Sequence, residues 1–358
     1  MDVPLWLWLI TVGLIVAMLT VDFIGHVRTP HAPSLKEAGI WSAVYVAIAL
    51  VFGALVWMLW DGTHGVAYFS GYLLEKSLSI DNLFVFVLIM ASFRVPREYQ
   101  QKVLLIGITI ALLMRTVFIV LGVAIVENFS WVFWIFGAFL LYTAWSQLRH
   151  EEDEEFKENA ALRGVRRLFP TTDGFVGDRM VVRERGRLFV TPMLVVMIAI
   201  GSADLLFAVD SIPAIFGVTD ELSGSSQVYI IFAANAFSLL GLRQLFFLVD
   251  GLLDRLVYLN YGLAAILAFI GVKLLIHAMH TNELVWLNGG QHIDLIPEPP
   301  AWLSLVVIIV VLAITTALSL TVGARRHPHG AAPAANLPTD AETAATDVSM
   351  PQSDPTPR

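Results

Sequence analysis

Long apolar runs alternate with short polar connections along the chain. A membrane-spanning helix needs about 20 mostly apolar residues. Nine stretches fit: 5–21, 41–60, 66–90, 103–126, 130–148, 191–216, 227–249, 256–278 and 301–322. The third and sixth are the least pure, because each carries carboxylates in its middle. The first is expected to be a retained helix rather than a cleaved signal peptide. Asp2 precedes it, no Lys or Arg flanks it, and no small-residue cleavage site appears before Asp22.

Two polar pieces stand outside these runs. Residues 149–190 open with the acid run Glu151-Glu152-Asp153-Glu154-Glu155 and then turn basic. The end of this piece, from Arg179 to Val190, predicts a short β-hairpin turning near Gly186. The tail beyond Val322 is rich in Ala, Pro, Thr and Asp, lacks aromatics and is expected to be disordered. The expected division is two spans over 1–65, three over 66–148, a loop over 149–190, three spans over 191–278, an outer loop and last span over 279–323, and a tail over 324–358.

Composition narrows the class. Of 358 residues, 57% are hydrophobic and only 15% charged, against roughly 25% charged in soluble domains. Mean hydropathy is +0.73. The expected fold is therefore an all-α, polytopic membrane helix bundle of about nine transmembrane helices. There is no cysteine, which excludes a disulfide scaffold, thiolate metal sites and Fe–S clusters. The net charge of −8 says little, since much of it sits in one loop and the tail. No large basic surface is available for nucleic acid. No Ser/His/Asp set, nucleotide loop or metal-hydrolase motif appears, so neither an enzyme nor a resident cofactor is expected.

Among the connections, Lys and Arg occur only in alternate ones. The first loop has Arg28 and Lys36, the third Arg94, Arg97 and Lys102, and the fifth a long basic set from Arg149 to Arg187. The seventh has Arg255, and the tail has Arg325, Arg326 and Arg358. The N-terminus and the even-numbered loops have none. The positive-inside rule then places the N-terminus outside and the C-terminus in the cytoplasm. The outer loops carry Asp61, Glu127, Asp220, Glu221, Glu283, Asp294 and Glu298. These read as solvated polar loops, or as a weak attractor of cations.

Spans three to five resemble spans six to eight. The third contains Glu75-Lys-Ser-Leu-Ser-Ile-Asp81-Asn82 and the sixth Asp204-Leu-Leu-Phe-Ala-Val-Asp210-Ser211. Leu112-Leu-Met-Arg115 matches Leu240-Gly-Leu-Arg243. Asp81 and Arg115 are 34 positions apart, Asp210 and Arg243 33. Phe136-Gly-Ala-Phe139 parallels Tyr261-Gly-Leu-Ala264. Three spans per unit give opposite orientations, so an inverted 3+3 repeat is expected. Such repeats are a transporter signature, with the substrate site at the repeat interface near the bilayer midplane.

A carboxylate at that depth costs at least a few kcal/mol and marks a functional site by default. Four are expected there: Glu75, Asp81, Asp204 and Asp210. Repeat symmetry would gather them around one point. On an unbroken helix, however, residues six apart lie about 120° from each other around the axis. A local break would bring them together, and Asp210-Ser-Ile-Pro213 is the expected place for one. Asn82 and Ser211 follow the second acid of each motif and join the candidate ligand set. Oxygen donors without cysteine suit Mg²⁺, Ca²⁺ or Mn²⁺. His277, His280 and His292 read as a solvated outer group or a peripheral metal-capture patch. Met90, Met114 and Met197 read as packing.

Arg115, Arg243 and Lys76 are candidate basic partners of the acids. They act either as structural ion pairs or as groups displaced when a cation binds. Asn235 is either a further oxygen ligand or interhelical glue. The same acids could carry protons one way and metal the other.

These motifs resemble the TerC/Alx family of membrane proteins. The resemblance rests on Glu75 to Val85 and on Asp204 to Ala214. It extends to Pro96-Arg-Glu-Tyr-Gln-Gln-Lys-Val103, Arg166-Arg167, Phe169-Pro170, Thr191-Pro192, Leu239 to Arg243 and Phe269-Ile-Gly-Val-Lys273. It implies an integral inner-membrane protein, associated by name with tellurite resistance, with Mn²⁺ export in several members and kinship to LysE-type exporters. Mn²⁺ would be the transported substrate, and Glu75, Asp81, Asp204 and Asp210 the acidic residues of its motifs, with Asn82 beside them. Two other readings stand beside Mn²⁺ export. One is a LysE-like exporter of a small organic solute. The other is a non-transporting scaffold that meets membrane-protein partners through the 149–190 loop.

Overall fold

The computed structural model describes residues 3–27, 34–149, 172, 174–177, 179–184, 187–249, 258–284, 287–293, 295–319 and 321. Helix α1 (Leu5–Asp22) runs into a π-helical turn (Phe23–Val27). Then come α2 (Leu35–Leu59), α3 (Gly62–Ser92), α4 (Arg97–Asn128) and α5 (Val132–Arg149). A hairpin of β1 (Val181–Glu184) and β2 (Arg187–Val190) precedes α6 (Pro192–Val218), α7 (Gly224–Leu239), α8 (Leu242–Val249), α9 (Leu259–His280) and α10 (Ala301–Leu318). Each expected span is helical over most of its described residues. The hairpin is antiparallel, with Val181 opposite Val190 and Glu184 opposite Arg187. The acid run and the tail lie outside the described residues.

Local chemistry starts these helices where it should. Ser34 accepts the Glu37 N–H ahead of α2, and Asp61 accepts the His64 N–H ahead of α3. Pro192 opens α6, where its missing donor is not needed. Among the described residues, seven helical segments are long and apolar enough to cross a membrane. α3 falls short through Glu75, Lys76 and Asp81, and α5 through its polar last turn, Ser146, Gln147 and Arg149.

The bundle is built around α7. The stretch Gly224–Leu248 is 89% buried, whereas Leu5–Gly25, Leu35–Leu59 and Ala301–Leu318 are each 22% buried. Small residues let α7 sit at the centre: a Cβ at Gly71 of α3 would stand 3.3 Å from the Ala234 Cβ. α3 packs against α6 and α7, α4 against α6 and α7, and α5 along α9. The rim exposes large apolar side chains such as Leu9, Val51, Val117, Ile135 and Val310. That much apolar surface suits lipid, not water.

Several contacts gather the connections that the charge pattern put on one face. The Val3 N–H donates to the Ser225 hydroxyl, and the Ser130 hydroxyl to Glu283. The Ala301 N–H donates to Glu221.

One expectation about the helices needs correction. α6 does not break at Asp210-Ser-Ile-Pro213, and runs as one helix with Pro213 inside it. A proline removes one N–H, and packed neighbours let a membrane helix continue through it. The break falls in the seventh span instead, between α7 and α8, where Gly241 has φ +81°. A Cβ there would stand 2.9 Å from the Tyr45 Cβ, so both the backbone and the space call for glycine.

Candidate functional site

Arg115 stands in the inward stripe of α4, with Leu104, Ile108, Leu112 and Ile119. This 3.6-residue spacing carries it into the core while Leu113 and Val117 face outward. There its guanidinium bridges two helices. Nη1 donates to Glu75 Oε2 of α3 at 2.6 Å. Nε and Nη2 donate to the two carboxylate oxygens of Asp204 on α6, at 3.3 and 3.1 Å. All three side chains are at most 4% exposed. The Asn235 amide of α7 also donates to Glu75, while its own Oδ1 lacks a partner among the described residues. One guanidinium between two carboxylates leaves one negative charge in excess when both are ionised.

The second acid of each motif forms a separate group. Asp81 lies within electrostatic reach of Asp210. The Gln147 amide of α5 donates to Asp81 Oδ2 at 3.3 Å. No Lys or Arg among the described residues lies within ion-pair distance of either carboxylate. The four acids thus sort into Glu75 with Asp204 and Asp81 with Asp210, not one cluster. The reason is the unbroken helix. Six residues separate the acids on each element, about 9 Å of rise and 120° of rotation. Asn82 is buried next to Asp81 in the chain, and the Ser211 hydroxyl donates back to the Phe207 carbonyl at 3.1 Å.

The other expected bases go elsewhere. Arg243 does not reach the motif acids. It donates to Gln101 at 2.8 Å and to Asp22 of α1 at 3.0 Å. Gln244 and Tyr45 donate to the same Asp22. The Gly241 break starts α8 at this point and turns Arg243 toward α1. Lys76 meets the Ser238 carbonyl at 3.0 Å rather than a carboxylate.

Sequence reasoning missed Asp22, Gln101, Gln147 and Lys273 as parts of buried networks. For Asp22 and Lys273 a signal was available, since each is a lone polar residue in or at the end of an apolar run; Gln101 and Gln147 lie among other polar residues and gave none. Lys273 of α9 is 1% exposed and pairs with Asp220 at 2.7 Å. Burial pushes the Asp220 carboxyl above the usual carboxylate range, and the Lys273 ammonium offsets only part of that. The exposed Asp61 goes the other way, because the N–H of His64 that it caps holds its carboxyl below that range.

Buried oxygen donors with excess negative charge, placed between packed helices, can hold a proton or a hard cation. Comparison with known proteins agrees on the membrane setting. The profile of the family described as "Integral membrane protein TerC family" matches residues 60–327. An uncharacterized membrane protein of Mycobacterium tuberculosis is 48% identical over 87% of this chain and 78% of its own length. An uncharacterized membrane protein of Myxococcus xanthus is 41% identical over 75% of this chain and 83% of its own. Escherichia coli Alx, named as a candidate membrane-bound redox modulator, is 39% identical over 72% of this chain and 82% of its own. No solved structure matches the chain. On the extent of the profile match and the identity to these relatives, the chain is an integral membrane protein and belongs to the TerC family.

Proposed function

We propose that the protein transports a divalent metal cation, Mn²⁺ by the family resemblance, by alternating access between the two motif-bearing units. It acts without catalysing a covalent reaction. The observation that carries this reading is the Asp81–Asp210 group: two carboxylates from different helices, with an amide donor and, among the described residues, no base paired with them. Like charges repel at close range, and a divalent cation between them offsets the repulsion. Oxygen donors suit Mn²⁺, Mg²⁺ and Ca²⁺ alike. The Glu75–Arg115–Asp204 group holds the two helices together and has an excess charge that a proton can neutralise. Exchange of metal for protons follows naturally from that pair of groups.

Each group draws one acid from each motif, and α3 meets α7 as α4 meets α6. Both features support the inverted repeat. The distribution of Lys and Arg supports an N-terminus outside and a C-terminus in the cytoplasm, and the family resemblance supports a bacterial inner membrane. The description of the Escherichia coli relative suggests a second reading, redox modulation. With no cysteine in the chain, dithiol exchange is not a route to it.

Mn²⁺ uptake into inside-out vesicles tests the proposal, with wild type and Asp81→Asn/Asp210→Asn at equal expression, with and without a pH gradient. Uptake that needs both acids and the gradient is the expected result. Uptake equal to empty vesicles, with Mg²⁺ and Ca²⁺ equally inactive, refutes it.

A further inference from the structure

A second polar group lies apart from the four motif acids, where the connections gather. Asp220 follows α6, His277 stands in the last turn of α9, and Glu298 precedes α10. One ligand atom from each lies within 4.8 Å of the other two. The His277 ring meets Glu298 through Nδ1. The Phe133 ring meets it edge-on, with centroids 4.6 Å apart, and restrains its orientation.

Asp220 gives the independent sign of a ligand. Its side chain is 1% exposed. Lys273 holds Oδ1, and Oδ2 is buried without a hydrogen-bond partner among the described residues. A buried carboxylate oxygen left unpaired is costly, and a cation at this point would satisfy it. The ligand chemistry differs from that of the midplane acids. One imidazole and two carboxylates suit a first-row divalent metal over Mg²⁺ or Ca²⁺, which favour oxygen alone. Lys273 would act as an outer partner that fixes the Asp220 carboxylate, the arrangement that orients metal ligands generally.

We infer that Asp220, His277 and Glu298 form a second metal site, for a divalent first-row transition ion, at the end of the bundle where the α6–α7 and α9–α10 connections meet. The site stands on its own geometry and does not depend on transport through the midplane acids.

The test is Mn²⁺ titration of the purified full chain in detergent micelles, read by pulsed electron paramagnetic resonance for coupling to an imidazole ¹⁴N. Wild type is expected to show ¹⁴N-coupled Mn²⁺. His277→Ala should abolish the coupling, and Glu298→Gln, a half-exposed position that does not threaten folding, should weaken this binding class at least ten-fold. Asp81→Asn/Asp210→Asn should leave the coupling intact, which separates this site from the proposed transport path. No ¹⁴N coupling in wild type overturns the inference. So does coupling unchanged in His277→Ala, or affinity unchanged in Glu298→Gln.

Discussion

Arg115→Gln removes the one guanidinium held between Glu75 and Asp204. It deletes three hydrogen bonds of 2.6, 3.1 and 3.3 Å and leaves two buried carboxylates without a counter-charge. Breaking one buried pair in this way costs about 3–5 kcal/mol. Glu75→Gln is the informative contrast. It deletes the 2.6 Å charge-assisted bond, worth about 1.5–3 kcal/mol. It also removes the excess negative charge and leaves a neutral Arg115–Asp204 pair, so the net cost is smaller. At about 2 °C per kcal/mol, Arg115→Gln should lower the unfolding midpoint by about 6–10 °C and Glu75→Gln by about 3 °C or less. The assay is thermal unfolding of the full chain in detergent micelles, followed by tryptophan fluorescence. The triple change Arg115→Gln/Glu75→Gln/Asp204→Asn should recover most of the loss, because no buried charge then remains. Glu75→Gln as costly as Arg115→Gln, or a triple variant no better than the single, would refute the charge accounting.

Other positions give separate tests. Gly241→Ala forces a side chain onto a backbone at φ +81° and against Tyr45. It should cost about 1–2 kcal/mol or more, read as a lower unfolding midpoint, and a neutral outcome would contradict the break between α7 and α8. Asp61→Ala removes the cap of α3 and should cost about 0.5–2 kcal/mol at neutral pH. The folded-state pKa of Asp61 lies below its ordinary value of 3.8. Its contribution is therefore present above that pH and is lost as pH falls through the lowered folded value, so variant and wild type should converge in acid. Asp22→Asn leaves Arg243 buried without a counter-charge and should destabilise the chain by about 3–5 kcal/mol. Arg243→Met/Asp22→Asn should do less harm than Asp22→Asn alone, and the reverse ranking would show that the pair does not hold α1.

The spans were readable because a 20-residue apolar run has no alternative in water, and the four acids because so few polar residues interrupt those runs. Their grouping was not readable. It depends on whether α6 bends at Pro213, and a proline in a packed membrane helix does not decide that. The true break, at Gly241, needed the approach of Tyr45 from a helix almost 200 residues earlier in the chain. Arg243 misled for the same reason. Its position in the expected repeat matches Arg115, yet the turn ahead of α8 hands it to Asp22, a residue of α1 outside the expected repeat units. Asp220 and Lys273 show the limit of reading loops as solvated: one end of a loop is buried once a helical lysine reaches it.

In the proposed function, Asp81 and Asp210 form the cation path. Its most direct test is Mn²⁺ flux in proteoliposomes that hold purified wild type, Asp81→Asn, Asp210→Asn or the double variant. No base pairs with either acid among the described residues, so all four proteins should keep the same unfolding midpoint within about 2 °C. Flux should fall at least ten-fold in each single variant and reach background in the double. Wild-type flux in the double variant, with its fold intact, would show that the cation does not pass between these two acids.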